Sequence, residues 1–311
     1  MTDLTDLRNF GRDLDEDIPV PSPALRHRVI STFAEPPGPA RPRRTRTRRA
    51  VIASGVAVAA GLATAPWWGG APAIDAQAAQ ILDKAAVAAR RQTPLAVRPS
   101  QFVFISELMM YAGINDHNGK PVARFYQGQL ESWYSASGAR KGLTRWQPRS
   151  APLPGHPTGR WYTTPGGAPN APAYLPGLPT TADAMLVYLY QHSTGSNPPD
   201  QQAFITAGDL IRDNYLRPAA LAAVFLAVAR IPGVSVVHGA VTVDGRRGVA
   251  VQRTFGGDSQ QLIFDPATHA FIGEREVTTR PFAQLKAGAV LDSTAILRIA
   301  IVNEAGQQPG S

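Results

Sequence analysis

The sequence predicts an α+β domain built on an antiparallel sheet, held by one membrane-spanning helix and preceded by a short, partly disordered tail. Three observations lead there. Ala50 to Trp68 is a run of 19 residues without a charge, and six arginines fill the nine positions before it. From residue 75 onward the chain reads as strands, then helices, then strands. The strand segments alternate with short turn signals, the pattern of local antiparallel pairing.

As a helix the apolar run is roughly 28 Å long at about 1.5 Å per residue, close to a hydrocarbon core of about 30 Å. Arg43, Arg44, Arg46, Arg48 and Arg49 stand beside it. Positive charge there is the usual device for keeping a flank in the cytoplasm, and anionic lipid strengthens the hold. Trp67 and Trp68 fall at the far interface, where indoles are favoured. This divides the chain into a cytoplasmic tail (1–49), a transmembrane helix (50–68), a linker (69–74) and an extracytoplasmic domain (75–311). The stretch Thr47-Arg48-Arg49-Ala50-Val51-Ile52 and the small-x-small patterns Ala63-Thr64-Ala65 and Ala71-Pro72-Ala73 offer an alternative, a cleaved export signal. The long preceding segment and the length of the run favour an anchor.

The formal net charge is +8, and the arginine run alone supplies six of it. The remainder is near neutral, so the charge is no argument for a nucleic-acid partner. The absence of cysteine removes disulfides, thiolate metal sites and thiol nucleophiles. In the tail, Leu4, Leu7, Phe10, Leu14 and Ile18 keep helical spacing, and Pro19, Pro21 and Pro23 stop it. A second short helix fits Ala24 to Phe33. Two such helices cannot bury a core alone. The tail therefore reads as mostly disordered, with docking to a cytoplasmic protein partner as the alternative.

In the outer domain, Ile74, Ala78, Ile81, Leu82, Ala85 and Ala89 predict a helix ending near Arg91. Gln101 to Tyr111 turns strand-like, and Asn118-Gly119 is a hairpin signal. Strands follow at Val122 to Tyr134 and Leu143 to Trp146. Gln147 to Pro179 is rich in Pro, Gly, Ala and Thr and reads as a surface loop or lid, with Trp161-Tyr162 as a short strand inside it. Three helices come next. One opens on the capping-box spacing Thr180 to Asp183, one on Pro198-Pro199-Asp200, and one on Pro218. The third is apolar on all sides from Ala219 to Ala229, too short to span a bilayer and therefore a core helix. The last segment reads as a meander through Val234–Val243, Val249–Val251, Gln261–Phe264, Phe271–Val277 and Ala295–Val302.

Catalytic signatures are missing: there is no G-x-S-x-G, no phosphate-binding glycine loop and no H-E-x-x-H. His27, His117, His156, His192, His238 and His269 are scattered, which favours solvated polar roles over a metal or catalytic site. Asp265 reads as capping its own turn. Arg246 and Arg247 read as exposed turn residues, with an anionic head group as the alternative. The surplus is apolar. Phe102, Phe104, Leu108 and Met110 share one face of the first strand, and Val103, Ile105, Met109 and Tyr111 the other. Such a sheet must be covered twice. Helices supply one cover, and the proline-rich loop or an apolar ligand in a cleft supplies the other; an ordinary filled core is the alternative reading.

Three stretches carry a resemblance. Ala78-Ala79-Gln80-Ile81-Leu82-Asp83-Lys84-Ala85-Ala86 leads into an aromatic strand, and Leu178-Pro179-Thr180 precedes a helix. Ile231-Pro232-Gly233-Val234, Asp244 to Val251 and Phe264-Asp265-Pro266-Ala267-Thr268 mark the end. With the basic, tail-in span, the chain resembles a family of actinobacterial single-pass membrane-anchored proteins to which no reaction is assigned. The outer domain of that family is similar to lipoprotein carriers and to periplasmic sigma-factor regulatory proteins. The resemblance implies a curved, half-barrel-like sheet covering helices around a hydrophobic cavity. The leading expectation is a non-enzymatic protein, without cofactor or metal, that binds an apolar, lipid-like ligand as carrier or sensor. Phe104, Trp133, Trp146, Met185 and Leu189 are the expected cavity liners. The alternative is an anti-sigma-like transmembrane regulator with a docking tail. An envelope hydrolase has only unplaced Asp, His and Ser residues behind it.

Overall fold

One nine-stranded antiparallel sheet organises the chain. The computed structural model describes residues 75–117, 120–150, 158–166 and 171–310. The tail, the arginine run, the apolar run 50–68 and Trp67-Trp68 lie outside the described residues. Among the described residues, no helix is long and apolar enough to cross a membrane.

The elements are α1 (Ala76–Arg90), β1 (Phe102–His117), β2 (Lys120–Ser135), β3 (Gly142–Ser150), β4 (Tyr162–Gly166), α2 (Ala182–Gln191), α3 (Pro199–Asp213), α4 (Pro218–Val228), β5 (Ser235–Val241), β6 (Arg247–Phe255), β7 (Asp258–Phe264), β8 (Phe271–Thr278) and β9 (Val290–Val302). The strand order is β4-β3-β2-β1-β9-β8-β7-β6-β5. Two runs of hairpins are thus joined where the last strand pairs with the first, and α2 to α4 are inserted between β4 and β5. The β1–β2 hairpin closes with His117 opposite Lys120, around Asn118-Gly119 as the dipeptide predicts.

Local chemistry sets the helix ends. Asp75 caps α1 by accepting from the N–H groups of Gln77 at 2.8 Å and Ala78 at 3.2 Å, a bond worth about 1 kcal/mol. Pro199 and Pro218 stand at the first positions of α3 and α4, where the missing N–H costs nothing. The capping box expected at Thr180 is displaced. The N-cap is Thr181, which makes no side-chain capping bond, and Asp183 instead pairs with Arg230.

Leu262, Phe264 and Val251 face the helices, which form the main core with them. Ile263 points the other way, toward Ala240, Ala250 and Ile272. The same alternation splits β1. Val103 and Ile105 pack with Tyr215 and Ile299 on the helical face, whereas Phe102 and Phe104 pack with Trp133 and Val302 on the opposite face. The C-terminal segment supplies a cover over this opposite face: the Trp133 Nε1–H donates to the Gln307 carbonyl at 2.6 Å, and Gln308 donates to Glu131. Cations complete it. Arg140 lies 4.5 Å over the Phe102 ring, and Arg145 lies between the Trp133 and Trp161 rings at 5.3 and 4.4 Å. The expected loop is also shorter than the composition implied. β3 extends to Ser150 and β4 pairs with it, Trp146 opposite Tyr162; residues 151–157 and 167–170 lie outside the described residues.

Bulges interrupt the pairing of β7 with β8 and of β1 with β9. Arg246, in the turn before β6, meets the backbone there. Its Nη2 donates to the carbonyls of Ile272 at 3.2 Å and Ile296 at 3.0 Å, while Nε donates to Asp244 at 2.7 Å. This residue is a brace, not a free turn cation. Arg246→Ala should lower stability by about 2 kcal/mol, the scale of hydrogen bonds to a charged group. Arg246→Lys should recover less than half, because an ammonium lacks the planar fork that reaches both carbonyls. Urea unfolding followed by tryptophan fluorescence checks both values.

Candidate functional site

The packing of α1, α3 and α4 on β8 and β9 is incomplete. Ala85 and Ala89 of α1 present methyl groups where larger side chains would meet the sheet. The result is a cavity of about 270 Å³. Its floor is Phe271, Ile296 and Ile299 from the sheet, and its walls include Ile211, Leu221 and Phe225 from the helices. Gln92, Thr93 and Leu95, all exposed, stand at the solvent edge. Tyr215 fixes that edge: its hydroxyl accepts from the Leu95 N–H at 2.6 Å. Burial raises the phenol above its usual pKa, so it stays protonated.

The size limits what can enter. A 150 Å³ apolar cavity holds benzene, and pockets for drug-sized ligands begin at about 300 Å³. This volume matches a short acyl chain or a compact apolar group, not a drug-sized ligand. With no titratable group among its liners besides Tyr215, the cavity offers burial, not acid–base chemistry.

The five residues expected to line a cavity fall into three places. Phe104 and Trp133 pack together, ring centroids 5.1 Å apart, on the face turned away from the helices. Trp146 packs with Met109 and Leu130 over Gly128. A Cβ at that glycine would lie 2.4 Å from the indole, so Trp146 requires the bare backbone. Met185 and Leu189 are fully buried among the helices. None of the five borders the 270 Å³ cavity. Of its actual liners, Ala85 and Ala89 were on the apolar stripe read from the sequence. Ile296 and Ile299 were recognisable only as strand residues, since no local pattern shows that small residues from one helix will face them.

Asp265 caps its turn as read, its Oδ1 accepting from the N–H groups of Ala267 and Thr268 at 3.0 and 2.7 Å. The bonds from Thr268 hold its carboxyl below the usual range. His192 follows the end of α2, His238 lies on β5 and His269 lies in the turn between β7 and β8. Among the described residues, no group of three or more His, Asp or Glu is placed to hold a metal.

Beside the cavity, α3 is tied to the sheet by a buried ion cluster. Arg212 is bonded to Asp209 at 2.6 Å, to Asp213 at 2.9 Å and to Glu274 of β8. Gly208 makes room for this contact, since a Cβ there would lie 3.1 Å from a Glu274 oxygen. Burial opposes the guanidinium charge, but Asp213, Glu274 and Asp209 outweigh it and hold Arg212 well above its usual pKa.

No family model and no curated protein matches the chain. Similarity to solved structures is weak. One is the Pseudomonas aeruginosa MucA/MucB complex, at 11% identity over 76% of this chain and 59% of that chain, with a TM-score of 0.26. A second, MucB in complex with MucA(peri), shows 11% identity over 75% and 57%, with a TM-score of 0.24. The chain thus spans under three-fifths of the length of either. A DUF1329 family protein from Desulfovibrio piger shows 12% identity over 72% of this chain and 90% of that one, with a TM-score of 0.20.

Proposed function

We propose that residues 75–311 form an extracytoplasmic, non-enzymatic domain, half-barrel-like in its curvature, that binds an apolar, lipid-like ligand between its helices and its sheet. In this reading residues 50–68 anchor the chain in the membrane and residues 1–49 face the cytoplasm. The observation that carries the binding claim is the 270 Å³ cavity with its aliphatic and aromatic walls. Burial at about 25 cal/mol per Å² of apolar surface supplies affinity there without a catalytic group.

Leu221→Trp tests it. Leu221 is half-buried on the cavity wall, so a larger ring can enter the space without a core rearrangement. The full chain in lipid nanodiscs should bind a polarity-sensitive naphthylamine probe, and Leu221→Trp should weaken that binding at least tenfold at unchanged secondary structure. Equal binding by both proteins contradicts the assignment.

One feature favours a sensor over a carrier. The wall formed by Ala85 and Ala89 belongs to α1, the first described helix after the anchor. A ligand that shifts α1 acts on the segment leading to the span. Transmembrane regulation through a docked cytoplasmic partner is therefore the second reading, and recovery of a stoichiometric partner on residues 1–49 supports it.

A further inference from the structure

Among the side chains that line the cavity, four carry polar groups: Gln92, Thr93, Asn214 and Tyr215. Gln92 and Thr93 are exposed and Asn214 is half-buried. Asn214 is also turned to its own helix, its Nδ2 donating to the Leu210 carbonyl at 3.3 Å. Tyr215 differs from the other three. It is 8% exposed, and it is held from three sides. Its N–H donates to the Ala173 carbonyl at 3.0 Å, its ring stacks on Tyr174 with centroids 5.9 Å apart, and it packs with Val103 and Ile105 of β1. A polar group locked in this way by its surroundings is preorganised for a ligand.

A phenol hydroxyl both donates and accepts. At Tyr215 the accepting side is used by the Leu95 N–H, while its own proton has no acceptor among the described residues. That proton turns about the C–O bond, and Tyr215 and Leu95 both line the cavity. Accepting from Leu95 also polarises the hydroxyl and makes it the better donor. A plain hydrocarbon in the cavity would leave this donor buried and unpaired. A carbonyl oxygen completes it. Unlike a carboxylate or an ammonium, a carbonyl needs no counter-ion, and none of the liners carries a formal charge.

We propose that Tyr215 is the head-group contact of the cavity: its hydroxyl donates to the carbonyl oxygen of a short acyl compound whose chain fills the apolar space. This rests on the cavity reading above and adds the ligand's chemical class to it.

The test uses the full chain in nanodiscs and two neutral probes of similar length, hexyl methyl ketone and octyl chloride. Each is titrated as a competitor of the naphthylamine probe, and the response of Leu221→Trp is subtracted as bilayer partitioning. Tyr215→Phe keeps the ring and its stacking but removes the hydroxyl. It also releases Leu95, a loss that both competitors feel alike, so the difference between them isolates the carbonyl bond. Tyr215→Phe should weaken the ketone about fivefold more than it weakens the chloride, the scale of one neutral hydrogen bond. A second measurement needs no substitution at Tyr215. The infrared carbonyl stretch of isotope-labelled ketone bound to the parent protein should fall below its value in dry hexane. Equal weakening of the two competitors, no weakening of either, or a bound carbonyl stretch at the hexane value overturns the head-group assignment and leaves the cavity standing. Displacement by neither competitor above the Leu221→Trp background removes the cavity reading and this one with it.

Discussion

Arg212→Leu should destabilise the fold by about 3–5 kcal/mol, the scale for breaking a buried ion pair from one side. Arg212 is 7% exposed, and the Glu274 side chain it neutralises is 14% exposed. Removing the guanidinium strands that carboxylate between α3 and β8. Asp209 and Asp213, with side chains 34% and 27% exposed, can recover part of their hydration. The cost should therefore concentrate on Glu274, and adding Glu274→Gln to Arg212→Leu should return more than half of the lost stability. Chemical unfolding of the two variants measures this directly. A loss below about 1 kcal/mol in the single variant, the scale of an exposed pair, would mean that the cluster does not hold α3 to the sheet.

Glu276 should make the domain less stable as pH rises. Burial pushes its carboxyl up to about 8, and the charges of Asp258, Asp292 and Glu274 push the same way, against a hydrogen bond from Gln260. An acid raised in the folded state is neutral in both states below about pH 4.5 and contributes no penalty there. Between about 4.5 and 8 the unfolded chain ionises while the folded one stays protonated, so stability falls with pH across that window. Above it the penalty is constant. At about 1.4 kcal/mol per unit the full loss is on the order of 5 kcal/mol. Glu276→Gln should match the parent near pH 4.5 and exceed it in melting temperature by pH 8.5. Parallel melting curves from pH 4 to 9 for the two proteins would contradict this.

Strand and helix identity was legible because each was written in local chemistry. The alternation in Phe102 to Tyr111 named both faces of β1, Asn118-Gly119 placed the first hairpin, and Pro199 and Pro218 opened the helices where the sequence put them. What covers each face was not legible. That Gln307 would bond Trp133 across 174 positions, or that Arg246 would brace two bulges, depends on contacts between segments remote in the chain. The site was harder still. Large aromatics such as Trp133 and Trp146 drew attention as liners, but large side chains fill space. The cavity lies where Ala85 and Ala89 leave it empty, and small residues on a helix carry no signal of what they will face.

Native mass spectrometry of the full chain, purified gently from the cells in which it is made, tests the central claim most directly. The account predicts one apolar molecule bound per chain, lost in Leu221→Trp and retained in Arg247→Ala, a change at an exposed residue that does not line the cavity. A bare polypeptide mass in the parent protein, or an adduct that persists unchanged in Leu221→Trp, would contradict it.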